Sequence, residues 1–175
     1  TAMDSPYQCV EAEYMKADEY DLLIQDPSDF WIRTYLPRIF GKLEPLKMLS
    51  ALSTVQELPM VGWYLAQFGN ADIQEAFKSI LEAGKEAAGW ANVIHSIHDS
   101  VITEGFPVMS GGITKAPFDT LGDTLRGTQR IMIDMYRLPD KLIEALERLT
   151  PLMINMGVNS ARKSGIHLVF IPLHK

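Results

Sequence analysis

Residues 106–127, FPVMSGGITKAPFDTLGDTLRG, constrain the fold of this chain more than any other stretch. The apolar run that begins at Phe106 is typical of a buried strand. Residues 110–112, Ser-Gly-Gly, allow a tight turn or the close approach of a ligand. Pro117 suits the first turn of a helix, where its missing N–H group costs no hydrogen bond. The stretch therefore predicts a strand at 106–110, a polar loop and a helix, the unit from which α/β enzymes build their sites.

A second apolar run, IHLVFIPL at residues 166–173, completes a strand–helix–strand unit. It directly follows Gly165 and a long helical pattern at residues 139–163, which is preceded by a shorter helical pattern at residues 128–136. A short apolar run in this position favours a buried parallel strand. The order predicts a βαβ unit, in which the carboxyl ends of both strands lie at the same edge of the sheet.

The chain before the first strand is predicted to be mainly helical. Its strongest signal lies at residues 70–104, where apolar residues recur at spacings of three and four. Gly84 and Gly89 weaken this helix by about 1 kcal/mol each relative to alanine, so the pattern also allows a kink there. We interpret residues 1–105 as a helical segment and residues 106–175 as a strand–helix–helix–strand unit, both within a single, incomplete domain.

Composition argues against several classes of partner. The net charge is −6 and no basic stretch offsets it, so we expect no nucleic-acid partner. No run approaches the roughly 18 apolar residues of a membrane span and no signal peptide is visible, so we expect no membrane partner and a cytoplasmic location. The single cysteine, Cys9, excludes an internal disulfide. The chain lacks an initial methionine and stops just after an apolar strand, from which we expect a piece of a longer protein.

Polar residues after the two predicted strands are the candidates for a site. Those after the first strand are Gly111, Gly112, Thr114 and Lys115. They could bind an anion beside the helix start or form a plain tight turn, and no phosphate-loop or dinucleotide-binding fingerprint is present. His174 and Lys175 follow the second strand. In a parallel sheet they would share the ligand-binding edge with the residues after the first strand.

Two acidic residues lie in the helix predicted after the loop. Asp119 and Asp123 are four residues apart and would share one face of a helix that begins at Pro117. Together with Arg126 they could form a solvated, salt-bridged face or the polar wall of an active site, where paired carboxylates serve as acid and base. Spacing alone leaves both interpretations open.

His95, His98 and Asp99 fall within about one helical turn, a spacing that can bind a metal. Zinc would need a further ligand and usually a supporting hydrogen-bond partner, and no HExxH motif is present. A helix at the surface or at the edge of the core is therefore the preferred interpretation, and no metal ligand is predicted in the chain.

Three segments, GGITKAPFDTLGDTLRG, RLPDKLIEALERL and SGIHLVFIPLHK, resemble the middle of the uroporphyrinogen decarboxylase superfamily. The family pattern is a strand, a glycine-containing loop with Pro-Phe or Pro-Trp, a helix that ends in glycine, a proline-led helix and a further strand. The upstream EAEYMKADEYDLLIQDPSDF resembles the uncharacterised and methyltransferase-like members. The resemblance implies a TIM (β/α)8 barrel, of which this chain would be the central, helix-rich portion with about two parallel strands.

The superfamily contains two chemistries. Decarboxylases remove acetate carboxyl groups from a tetrapyrrole in haem biosynthesis, whereas methyltransferases move a methyl group between a corrinoid carrier and an acceptor, often with zinc. The decarboxylases have a substrate-contacting tyrosine and a serine at two positions of this pattern. At the matching positions this chain has Asp123 and Leu173 instead. These departures favour methyl transfer. Ligands for zinc and corrinoid would then lie in the parent protein, outside this chain.

Under the methyl-transfer hypothesis, we predict Asp123 and His174 as the catalytic residues. The resemblance implies a substrate-binding surface formed by Gly111, Gly112, Thr114, Lys115, Asp119 and Lys175. The substrate would be a small molecule, a tetrapyrrole or a corrinoid, and a corrinoid protein is a candidate partner. Two alternatives stay open: a tetrapyrrole decarboxylase with an altered site, and a non-catalytic binding module whose methionine-rich helices form an interaction surface.

Overall fold

The computed structural model describes residues 12–108 and 110–173. Helices predominate in it, and one pair of parallel strands places the protein broadly in the α/β class. The chain divides into two compact units, Thr1–Pro27 with Ser110–Lys175 and Ser28–Met109. Residues 12–27 thus group with the strand–helix–strand unit. Among the described residues, no helix is long and apolar enough to cross a membrane.

The elements follow one another in chain order. The α-helices are α1 (Tyr20–Gln25), α2 (Pro27–Phe30), α3 (Leu36–Ile39), α4 (Leu58–Leu65), α5 (Ala71–Thr103), α6 (Pro117–Asp119), α7 (Thr128–Arg137) and α8 (Pro139–Ser164). The strands are β1 (Gly112–Ile113) and β2 (Val169–Phe170). Short 3-10 helices occupy Ala17–Glu19, Gly41–Met48 and Ala66–Gly69, and π-helices occupy Trp31–Tyr35 and Thr120–Arg126.

The longest element, α5, agrees closely with the helix predicted at residues 70–104. Asn70 caps it, since its side chain accepts hydrogen bonds from two backbone N–H groups of the first turn. The helix runs through Gly84 and Gly89 without a break in its helical assignment. Gly105 follows it with a φ of +83°, the left-handed conformation that commonly ends helices.

The core of the unit Ser28–Met109 lies at the N-terminal end of α5. Its buried residues are Leu43, Leu46, Leu49, Ile73 and Ala76. Phe68 and Phe77 pack against this cluster with ring centroids 5.9 Å apart. The exposed apolar side chains of α5 come later in the helix, from Leu81 onward.

The other unit contains the two strands as a parallel pair, as the sequence predicted. Gly112 pairs with Val169, and Ile113 pairs with Phe170. The helices α6, α7 and α8 lie between the strands in the sequence, and α8 contacts both strands. The βαβ unit is therefore confirmed.

The first strand lies later in the sequence than predicted. Residues 106–108 form no strand, and β1 begins at Gly112, where the sequence predicts a turn. The reason is close packing. A Cβ atom on Gly112 would lie 2.3 Å from Ser160 Cβ, and one on Gly111 would lie 2.5 Å from Ile166 O. Only glycine lets β1 approach the end of α8 so closely, so the glycine pair marks a strand–helix contact.

The N-terminal segment, by which we mean residues 12–25, packs on the helices of the same unit. Leu125 O accepts hydrogen bonds from the backbone N–H groups of Tyr14 and Met15, each at 2.8 Å. Lys141 Nζ in α8 lies 2.5 Å from Asp21 Oδ1 in α1. The buried apolar side chains of this unit are Met15, Tyr20, Leu23, Leu121, Leu125, Ile131, Leu142, Ala145 and Leu149.

Candidate functional site

Polar side chains follow β1 directly. Thr114 is 8% exposed, and its Oγ1 donates a hydrogen bond to Met153 O at 2.7 Å, which ties the end of β1 to α8. Lys115 comes next, and its Nζ lies 2.9 Å from Asp123 Oδ2. Because β1 and β2 are parallel, this position is at the edge of the sheet where ligands bind in α/β proteins.

The Lys115–Asp123 ion pair is held in place but remains accessible. The two side chains are 25% and 18% exposed. Lys115 Nζ also lies 3.5 Å from Thr124 Oγ1, a third polar group at the same place. An ammonium group and a carboxylate in this setting can bind an anionic group and exchange a proton with it.

Asp123 belongs to the π-helix Thr120–Arg126, a rare conformation that is frequent at functional sites. The sequence left open whether the acidic residues here form a solvated, salt-bridged face. The structure contradicts that interpretation, because Asp119 and Arg126 are only 3% and 2% exposed. Arg126 is buried in its unit, and its partners come from other parts of the chain.

Arg126 is the centre of a buried network. Its Nε lies 2.6 Å from Asp134 Oδ2 and its Nη2 lies 3.1 Å from Asp134 Oδ1, a bidentate pair. Its Nη1 donates hydrogen bonds to Met15 O at 2.6 Å and to the carboxylate of Glu13. Tyr20 OH donates to Asp134 Oδ2 at 2.9 Å, and the guanidinium carbon of Arg126 lies 6.0 Å from the Tyr20 ring centroid.

The environment of this network keeps Tyr20 and Arg126 protonated. Burial, followed by the hydrogen bond and charge of Asp134, raises the pKa of Tyr20 well above its ordinary value. Burial alone would lower the pKa of Arg126, but the hydrogen bonds of Asp134 and Glu13 and the charge of Asp134 outweigh it and raise that pKa. Both groups keep their protons at neutral pH. The network therefore joins the N-terminal segment to α7.

Local sequence patterns did not predict this network. Tyr20 and Asp134 are 114 positions apart, so no spacing within one element could pair them. The one local signal was the position of Arg126, between Leu125 and Gly127 at the end of a helix. Its burial could not be deduced without knowing that Asp134 and Glu13 would neutralise it.

The structure brings together three of the predicted site residues: Thr114, Lys115 and Asp123. Gly111 and Gly112 pack against α8, and their part in substrate binding stays a prediction. His174 and Lys175 lie outside the described residues. Leu173, directly before them, is 70% exposed and follows β2 at the same edge of the sheet.

His95 and Asp99 are exposed on α5, and His98 is half-buried, in agreement with a helix at the surface. Within residues 12–108 and 110–173, no group of three or more His, Cys, Asp or Glu side chains is arranged to hold a metal ion. The described residues thus offer no zinc site.

No protein-family model, curated protein or solved structure matches this chain. The assignment to the uroporphyrinogen decarboxylase superfamily therefore depends on the motifs at residues 106–127 and 138–149, and it stays a prediction. The geometry at the end of β1 carries the functional argument.

Proposed function

We propose that this protein is part of a (β/α)8-barrel enzyme of the uroporphyrinogen decarboxylase superfamily that transfers a methyl group between a corrinoid carrier and an acceptor. The observation that carries the proposal is the Lys115–Asp123 ion pair, with its 2.9 Å Nζ–Oδ2 distance, at the carboxyl end of β1. Parallel α/β enzymes place their catalytic groups at this edge, on the loops that follow their strands.

The exposed apolar side chains of the two-stranded sheet support the proposal that further strands belong to the barrel. Helix α8 contacts both strands, and a Cβ atom on its Gly157 would lie 3.2 Å from Thr114 Cγ2 and 3.3 Å from Val169 Cγ1. Ile113 and Phe170 remain 56% and 48% exposed. Parallel sheets are normally buried on both faces, and two strands alone are only marginally stable. Additional parallel strands, as in a barrel, would cover these apolar side chains.

Lys115 and Asp123 can act together on an anionic group of a substrate. The ammonium group, oriented by the carboxylate, offers hydrogen bonds and positive charge to a carboxylate or thiolate. Asp123 can accept a proton as that group binds or reacts. His174, which directly follows Leu173 in the sequence, is the second candidate proton-transfer group.

The choice of methyl transfer over decarboxylation depends on two positions. Asp123 and Leu173 stand where the resemblance places the decarboxylases' tyrosine and serine. The described residues do not provide a metal site, so no step is assigned to zinc, and the roles of Lys115 and Asp123 are limited to binding, orientation and proton transfer.

A methyl-transfer assay on the intact protein tests the proposal. Methylcobalamin and 2-mercaptoethanol are the probes, and the loss of methyl–cobalt absorbance is the measurement. We expect transfer above the protein-free rate, reduced by about 100-fold or more in Lys115→Met and in Asp123→Asn. The matched control is Lys141→Met, which removes a lysine from an exposed ion pair with Asp21 and should leave the rate unchanged.

The same preparation is given uroporphyrinogen as an alternative substrate. Its conversion to coproporphyrinogen, without methyl transfer, would establish decarboxylation and overturn the proposal. A protein that shows neither reaction and does not bind methylcobalamin in an absorbance titration would also contradict it, and would favour the binding module.

A further inference from the structure

Helix α5 carries a heptad pattern over almost its whole length. Apolar residues alternate at spacings of three and four: Ile73, Ala76, Ile80, Ala83, Ala87, Trp90, Ile94, Ile97 and Val101. This alternation, sustained over about four heptads, is the pattern of a coiled-coil seam. The outermost positions of the same heptads are polar: Lys78, Lys85, Asn92 and Asp99.

The seam is covered at one end and uncovered at the other. Ile73 and Ala76 are 2% and 1% exposed in the core of their unit, and Ile80 packs against them. Farther along, Trp90 is 69% exposed and Ile97 is 55% exposed. Monomeric proteins seldom expose contiguous apolar surface beyond a few hundred Å². The uncovered part is therefore suited to a helical partner with the same heptad geometry.

We propose that residues 83–101 of α5 pair with the same residues of a second copy of this protein, as two antiparallel helices. The first two seam residues of this segment, Ala83 and Ala87, are small, and the seam residues from Trp90 onward are large. Antiparallel helices place each small side chain against a large one. Parallel helices would set alanine against alanine and leave cavities, which are costly.

A two-fold axis level with Asn92 produces this match. The opposed seam residues are Ala83 with Val101, Ala87 with Ile97, and Trp90 with Ile94. Each copy contributes both members of every pair, so the surface is complementary to itself, as a two-fold dimer requires. On the flanks, Glu86 would lie opposite Ser100 and Val93 opposite its own copy, so like charges are kept apart.

The length of the segment indicates the strength of the dimer. At about 1.5 Å per residue, residues 83–101 extend over roughly 27 Å. Two copies, each with an exposed tryptophan, would bury on the order of 1,000 Å², the lower end for specific interfaces. We therefore expect a dissociation constant on the order of micromolar. The proposal is independent of the proposed activity.

Sedimentation velocity of the intact protein, between about 1 and 100 μM, tests dimer formation around that constant. Ile97→Glu should weaken the dimer at least tenfold, because it would bury an unpaired charge opposite Ala87. Asn92→Glu adds the same charge at an outermost position and should change the constant by less than about twofold. Unchanged circular dichroism in both variants shows that the helix is intact. A monomer at every concentration overturns the proposal.

Thiol crosslinking tests the orientation in a Cys9→Ser background, which removes the single cysteine of the chain. In the antiparallel dimer, Ala87→Cys and Ile97→Cys crosslink when the two variants are mixed, and neither crosslinks with itself. Self-crosslinking of each variant would mean parallel helices and would contradict the proposal. With Trp31 and Trp63 replaced by phenylalanine, a monomer in which Trp90 is shielded from acrylamide would show that another segment of the same protein covers the seam, which would also overturn it.

Discussion

Two ion pairs each include one residue of the same π-helix, Asp123 or Arg126, and they differ in almost every respect. Arg126 and Asp134 are 2% and 3% exposed, whereas Lys115 and Asp123 are 25% and 18% exposed. The buried arginine has further partners in Glu13 and the backbone of the N-terminal segment. The accessible lysine has one further polar neighbour, at the longer distance of 3.5 Å.

This difference in exposure assigns the buried pair to stability and the accessible pair to ligand binding. Desolvation of a fully buried pair costs several kcal/mol per ion, so such a pair persists only when its hydrogen-bonding groups are satisfied. A partly exposed pair contributes about 0–1 kcal/mol, and its charges stay available to a ligand. We infer that Thr120–Arg126 is fixed at its last residue by the buried pair and presents Asp123 from its middle.

The largest effect is expected for Asp134→Ala. It leaves the charge of Arg126 buried without its bidentate partner, which should lower the free energy of unfolding by about 3–5 kcal/mol. Urea denaturation measures the loss. Asp123→Ala is the matched control and should cost about 1 kcal/mol or less. Equal losses in the two variants would remove the distinction between the pairs.

Gly111→Ala should have the next largest effect. Its Cβ atom would lie 2.5 Å from Ile166 O, a backbone atom that cannot rotate away, so we expect a loss of about 2–3 kcal/mol in unfolding free energy. Gly84→Ala is the control, since nothing lies within 4 Å of its Cβ position, and it should stabilise the protein by up to about 1 kcal/mol. Gly111 lies directly before β1, which leads to Lys115. A Gly111→Ala protein as stable as the original would show that the position of β1, and with it that of Lys115, does not depend on this close contact.

The helices and the parallel βαβ unit could be predicted because their signals are local. Apolar spacing, the Asn70 cap and the glycine after each long helix mark element ends within a few residues. The position of β1 could not be predicted, because a glycine pair in a turn and a glycine pair against a helix have the same composition. The two are distinguished only by Ser160 and Ile166, which lie about 50 positions farther along the chain.

In the candidate site, too, local sequence patterns could not predict contacts between distant parts of the chain. Lys115 and Asp123 could be selected because one follows a predicted strand and the other lies in the next helix. Their ion pair, and the network around Arg126, depend on tertiary contacts. Helical periodicity predicts which face is buried, but it does not predict which remote carboxylate will meet a buried arginine.

Tyr20→Phe tests the buried network through pH. Loss of the hydrogen bond to Asp134 should cost about 1.5 kcal/mol near neutral pH. The pKa of Tyr20 is raised from its ordinary 10.0, so its stabilisation is complete below about pH 10 and is lost as the pH rises toward the folded-state value. Urea denaturation from about pH 8 to pH 11.5 should show a smaller alkaline loss in Tyr20→Phe than in the original protein.

Tyr136→Phe is the matched control, since Tyr136 is 85% exposed and its removal should leave the alkaline loss unchanged. The pKa of Lys141 is also raised, by hydrogen bonds to Asp21 and Glu144, so part of the loss in this range belongs to that exposed lysine and should persist in both variants. If Tyr20→Phe and Tyr136→Phe gave the same pH profile, the buried network would not control alkaline stability.

The smallest effect on stability is expected for the accessible pair. A double-mutant cycle with Lys115→Met and Asp123→Asn should give a coupling energy below about 1 kcal/mol for unfolding, because solvent screens both charges. The same cycle applied to methyl transfer should be strongly non-additive. Either substitution alone disrupts the whole pair, which binds and orients the substrate as a unit. A coupling energy above about 2 kcal/mol for unfolding would make the pair a structural element like the buried one, since charges engaged that strongly with each other are not available to a ligand.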